Sequence, residues 1–142
     1  MKTVSGYVLL LTGLILCLGQ RPAQAQACQD EEEMFKESAK DVSNLVDTVK
    51  KENVSDFQNH YHQKSYVSKT TFLLKMAGGL VDCLDKAAQD TTATKEQIDA
   101  YKLKRDTYAK FKARVEQDEG AIKSTEDAKN AKGLIEKCKL ST

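Results

Sequence analysis

Beyond Pro22 the chain has no proline, and its apolar residues return every three or four positions almost to the C-terminus. Proline serves turns and sheet edges and is excluded from helix interiors, so a stretch of this length without one reads as long helices joined by short turns. The spacing agrees. Phe35, Ala39, Val42, Leu45, Val46 and Val49 draw one apolar stripe on a helix from about Asp30 to Lys51. Asp30 can cap it, with Glu33 completing a box-like start and the run Asp30–Glu33 at the positive end of the helix dipole. After a break at Lys51–Val54, Ser55 and Gln58 form a capping box for a second helix. Its stripe is Phe57, Tyr61 and Lys64, then Leu73, Leu74, Ala77, Leu80, Val81, Leu84 and Ala87. The β-branched and hydroxyl-rich stretch Ser65–Phe72 predicts a kink or a short irregular stretch, and Gly78-Gly79 a second bend. Thr94 and Gln97 form another capping box, followed by Ile98, Tyr101, Tyr108, Phe111, Val115 and Ile122. Glu119-Gly120 or Ser124 ends that helix, and Ala128, Ala131, Leu134, Ile135 and Cys138 make the last stripe. No segment sustains the two-residue alternation of a half-buried strand. The fold class is therefore all-α: an antiparallel bundle of about four amphipathic helices.

The N-terminus has a different composition. Lys2 precedes an apolar run from Val8 to Leu18, and the small residues of Ala23-Gln24-Ala25-Gln26-Ala27 follow. This order predicts a secretory signal over residues 1–25, cleaved after Ala25 or Ala27, and a single helical-bundle domain over residues 26–142. The run is shorter than the ~20 residues of a membrane span, and Lys75 and Asp82 interrupt the next most apolar stretch, Phe72–Leu84. A secreted, extracellular protein without stable membrane insertion is expected. Loss of Lys2 and Arg21 with the signal takes the formal charge from +1 to about −1, a balance that excludes a dedicated nucleic-acid binder.

An exported chain keeps disulfides, and three cysteines remain after Cys17 leaves with the signal: Cys28, Cys83 and Cys138. In an up-down-up-down bundle the start of the first helix and the ends of the second and fourth share one end of the molecule, which brings all three together. One pair is expected to bond there, Cys28 or Cys138 with Cys83, closing a loop worth about 3–4 kcal/mol. The third thiol is free or pairs between molecules. Asn53-Val54-Ser55 is a glycosylation sequon in the first turn.

Catalytic constellations are missing from the pattern. The two histidines, His60 and His62, are two residues apart and point to different sides of a helix, so with Asp56 they make no convergent metal site. They read as polar residues flanking a core Tyr61. No nucleophile-elbow, zinc-protease or glycine-rich phosphate motif accompanies them. A non-enzymatic protein without metal or cofactor is expected. Lys102, Lys104, Arg105, Lys110, Lys112 and Arg114 share one helix with Asp106 and the acidic run around Glu116–Glu119, the mixture of a solvated face rather than a polyanion site. The alternative to a protein-binding role is a carrier of a small hydrophobic or lipid ligand, walled by Met34, Met76, Tyr61, Tyr66, Phe72 and Phe111.

The layout, with a signal ending in Ala23-Gln24-Ala25, Cys28 just after it, a proline-free helical body with Cys83, and Cys138 near the C-terminus, resembles small secreted insect proteins. The fly male accessory-gland (seminal-fluid) proteins of the small helical kind are the family it looks most like. The resemblance implies transfer in seminal fluid and action on a female or sperm-associated protein partner.

Overall fold

The computed structural model describes residues 23–138. Most of the predicted signal, including Cys17, and the last four residues lie outside them. Four helices follow one another: α1 (Ala23–Lys51), α2 (Asp56–Ala88), α3 (Lys95–Lys123) and α4 (Ala128–Lys137). No strand occurs among the described residues, and none of these helices is long and apolar enough to cross a membrane.

Two of the three predicted capping boxes form. The Ser55 side chain accepts from the Gln58 amide while the Gln58 side chain accepts from the Ser55 amide, and Thr94 and Gln97 repeat the exchange at α3. Each satisfies two backbone donors that a helix start leaves free, and fixes where the chain turns. Asp30 is not a cap. α1 runs through it from Ala23, and the acidic run sits in the body of the helix, with no acid in its first turn. Neither expected bend interrupts the helix, and α2 runs on as one helix of 33 residues. Thr70 Oγ1 folds back onto the carbonyls of Tyr66 and Val67 at 2.8 and 3.1 Å, so its hydroxyl is satisfied within the helix.

α2 lies at the centre and touches α1, α3 and α4. α1 and α3 meet beside it, where Phe35 packs edge-on against Tyr108 and Phe111 at centroid distances of 5.0 and 5.2 Å. At the other end α4 contacts all three long helices. The core is one cluster that includes Phe35, Val42, Val49, Tyr66, Leu73, Leu80, Leu84, Val115, Ile122 and Ile135.

Cys28 and Cys83 are bonded, with Cα atoms 5.8 Å apart, joining the start of α1 to the end of α2. Cys138 does not reach them. α4 has 10 residues, about 15 Å, against 29 residues, about 43 Å, for the α3 it doubles back along. It stops part-way, and Cys138 is a free, buried thiol that accepts a hydrogen bond from Tyr66 Oη at 3.2 Å.

Gly79 is exposed in the interior of α2, and a Cβ built on it meets nothing within 4 Å. Its presence therefore lowers helix stability with no packing gain. Gly79→Ala should raise the free energy of unfolding by about 0.5–1 kcal/mol, read as a higher urea midpoint at unchanged slope.

Candidate functional site

The structure concentrates unusual features on two surfaces. One is the outer side of α2. Phe57 is 82% exposed, Tyr61 66% and Phe72 55%. With Lys64, Ser68 and Lys75, also exposed, they form a strip down one side of the helix, since steps of three, four and seven residues stay on one face. A groove of about 450 Å³ runs beside it toward the α3–α4 turn, lined by Gln63, Lys64, Val67, Ser68, Lys123 and Thr125. On the other flank a groove of about 650 Å³ lies between Phe72 and the Met34, Ser38, Asp41 and Asn44 side of α1.

The opposite face of the same stretch of α2 is polar yet buried: Asn59, His62 and Gln63 are all under a tenth exposed. This reverses the expected arrangement around Tyr61, which faces solvent while His62 turns inward. Their hydrogen bonds tie the helix ends together. His62 Nε2 lies 3.1 Å from Glu52 Oε2, and Lys132 Nζ donates to the Glu52 carbonyl at 2.8 Å. Gln63 Nε2 donates to the carbonyls of Ile122 and Thr125 at 3.0 and 2.6 Å, clamping the end of α3. Asn59 Oδ1, His62 Nδ1 and Gln63 Oε1 are buried without a partner.

The second surface surrounds the disulfide. Glu32 receives Lys36 at 3.0 Å, Lys104 at 3.0 Å and Tyr108 Oη at 3.0 Å. Burial alone would raise its carboxyl, but the hydrogen bonds from Lys104, Lys36 and Tyr108 prevail and hold it down to about 2. The Tyr108 phenol, desolvated and facing that carboxylate, is pushed up to about 12. Arg105 joins α3 to Asp85 of α2 at 2.9 Å. Glu31 points at the disulfide instead: a carboxylate oxygen and the two Cys sulfurs lie within 4.8 Å of one another. Its Oε2 is buried and has no hydrogen-bond partner. Both sulfurs are spent in the S–S bond, so this trio offers a metal no thiolates.

The remaining predicted residues are scattered. Asn53 is exposed in the turn between α1 and α2. Among the basic residues of α3, Lys104, Arg105 and Lys112 are engaged by Glu32, Asp85 and Asp106, and Glu116. Of the suggested ligand walls only Met34 and Phe72 share a groove: Tyr66 is in the core, Met76 and Phe111 pack partly against it, and Tyr61 faces outward. At Cys138, burial and the neighbouring Asp118 raise the thiol, and burial pushes the Tyr66 phenol far up as well. Both are poor ionic groups there. The Glu31 and Glu32 roles went unread in the sequence, because four consecutive acids look alike until the helix phase assigns one to lysines and one to the sulfurs. Neither a protein-family model, nor a curated protein, nor a solved structure matches this chain.

Glu32 generates a pH dependence with a defined sign. Its folded carboxyl lies below the ordinary value of 4.5, so its contribution to stability is complete above that pH and is lost as pH falls toward 2. The side chain is 18% exposed, and the contribution is on the order of 2 kcal/mol. Glu32→Gln should unfold at a lower urea concentration at pH 7 and show a flatter loss of stability between pH 5 and about 2.5, measured by circular dichroism.

Proposed function

We propose that the chain is a secreted, non-enzymatic interaction protein of extracellular fluid, and that it meets its protein partner through the outer strip of α2. The observation that carries this reading is the exposure of Phe57 and Tyr61, one helical turn apart, on a strip whose Lys64 and Ser68 line a groove with Val67. Exposed aromatics next to a concavity are the anchors that protein interfaces use, and polar neighbours such as Lys64, Ser68 and Lys123 make the surrounding rim. The N-terminal signal pattern, the Cys28–Cys83 bond and the exposed Asn53 sequon all fit an exported protein. The layout shared with seminal-fluid proteins of the small helical kind makes a reproductive-tract partner the first to try.

Expression from its own N-terminus in secretory cells should put into the medium a chain beginning at Gln26 or Cys28. Its mobility should shift on glycosidase treatment, and Asn53→Gln should abolish the shift. Retention in the cytosol with the leader intact overturns export.

The contact surface is tested separately. A photo-reactive benzoylphenylalanine at position 57 or 61 should yield one discrete adduct in the fluid into which the protein is secreted. The same group at Lys110, on α3, should not. Phe57→Ser with Tyr61→Ser should leave unfolding within about 0.5 kcal/mol of the parent, because both side chains already face water. Adducts of equal yield from all three positions would remove the strip as the docking surface.

A further inference from the structure

The disulfide end carries a charge with no structural task. Among the acids Asp30–Glu33, Glu32 is bound by Lys36, Lys104 and Tyr108, and Glu33 accepts from Gln29 Nε2. Among the described residues Glu31 has no such cation. Its Oε2 is buried and unpartnered, and a carboxylate oxygen lies within 4.8 Å of both Cys28 and Cys83 sulfurs. Leaving a carboxylate oxygen buried and unpaired is costly, so what it acts on at that distance matters.

We infer that Glu31 is an electrostatic guard of the Cys28–Cys83 bond, selectively slowing its attack by anionic thiols. Thiol–disulfide exchange begins when a thiolate attacks one sulfur and expels the other as a thiolate. Cys28 is 5% exposed and Cys83 is half-buried, so Cys83 is the more open of the two residues and its Sγ is taken as the sulfur attacked. Attack there forms an RS–S bond to Cys83, breaks the S–S bond, and leaves the electron pair on Cys28 Sγ. A second RS⁻ then attacks the mixed disulfide, releasing RSSR and the Cys83 thiolate, and each protein thiolate takes a proton from water. The balance is two RSH oxidised to RSSR and one disulfide reduced to two thiols.

Glu31 opposes the first step twice. It repels an incoming anion at Cys83, and it disfavours the negative charge that develops on buried Cys28, within 4.8 Å of its oxygen. The first effect depends on the net charge of the reagent and the second does not, so the guard discriminates between thiols. Glutathione-like thiols, which carry carboxylates as well as the thiolate, are the class it excludes most. The inference is independent of the partner-binding surface on α2.

The test is the rate of reduction of the folded, oxidised protein, followed by quenching with an alkylating agent and mass spectrometry. Mercaptoethanesulfonate serves as the anionic reagent and cysteamine as the cationic one. Glu31→Gln, which keeps the shape, should be reduced about tenfold faster than the parent by the sulfonate and about threefold faster by cysteamine. Glu33→Gln, with the same charge change one residue away, should stay within about twofold of the parent. Equal rates for Glu31→Gln and the parent would overturn the inference. So would the same acceleration with both reagents, which marks loosened packing, or the same acceleration in Glu33→Gln, which marks bulk charge.

Discussion

Everything in this bundle hangs on the inner face of α2. Tyr66, Thr70, Leu73, Ala77, Leu80, Leu84 and Ala87 are buried on it, and α1, α3 and α4 all pack against that one helix. A helix is rigid in phase: once seven or eight positions spaced by three and four are committed to the core, every other residue's direction is set. The strongly apolar second half of α2 sets the phase, because burying each large aliphatic side chain contributes roughly 1.5–3 kcal/mol. The weakly apolar first half must follow it.

That rigidity explains where reading the residues succeeded and where it failed. The stripes of α1 and the second half of α2, the two capping boxes and the turns beside them were legible, because there local preference and burial point the same way. In the stretch from Phe57 to Tyr66 they conflict. Local hydropathy favours Phe57 and Tyr61 for the core, but stepping back from Leu73 through Thr70 and Tyr66 lands on Gln63, His62 and Asn59. The polar residues are carried inward and find partners in Glu52, Ile122 and Thr125, three contacts between elements that no local pattern announces.

The cysteines make the same point about length. The end of the molecule shared by Cys28 and Cys83 follows from helix order alone, and their pairing does occur. Cys138 was placed with them on the assumption that the last helix spans the bundle. Ser124 and Asp127 delimit a late turn, and α4, with 10 residues, runs back along α3 only part-way. Hand and order are topological and readable. Reach is a count of residues per helix, and it shifts with every uncertainty about which turn signal the chain uses. The consequence is a bundle of two unlike ends. One has a covalent staple, a Phe35–Tyr108–Phe111 cluster and the Glu32 network. The other has a short fourth helix, a buried thiol and a polar layer with unpaired acceptors.

The exposed aromatics are then not an isolated oddity. The phase that buries Asn59, His62 and Gln63 is the phase that turns Phe57 and Tyr61 out, so the two anomalies are one. For stability alone the arrangement is poor on both sides. Two aromatic side chains that could each contribute roughly 1.5–3 kcal/mol lie in water, while two buried amide oxygens and a buried imidazole nitrogen lack partners at a cost of about 1–3 kcal/mol each. Exchanging apolar for polar residues across this one stretch would relieve both without touching the fold. Proteins keep such departures from local consistency mostly where a surface is used. At the first half of α2 the departure occurs on both faces of the same helix at once, and that coincidence supports the reading that exposed Phe57 and Tyr61 carry.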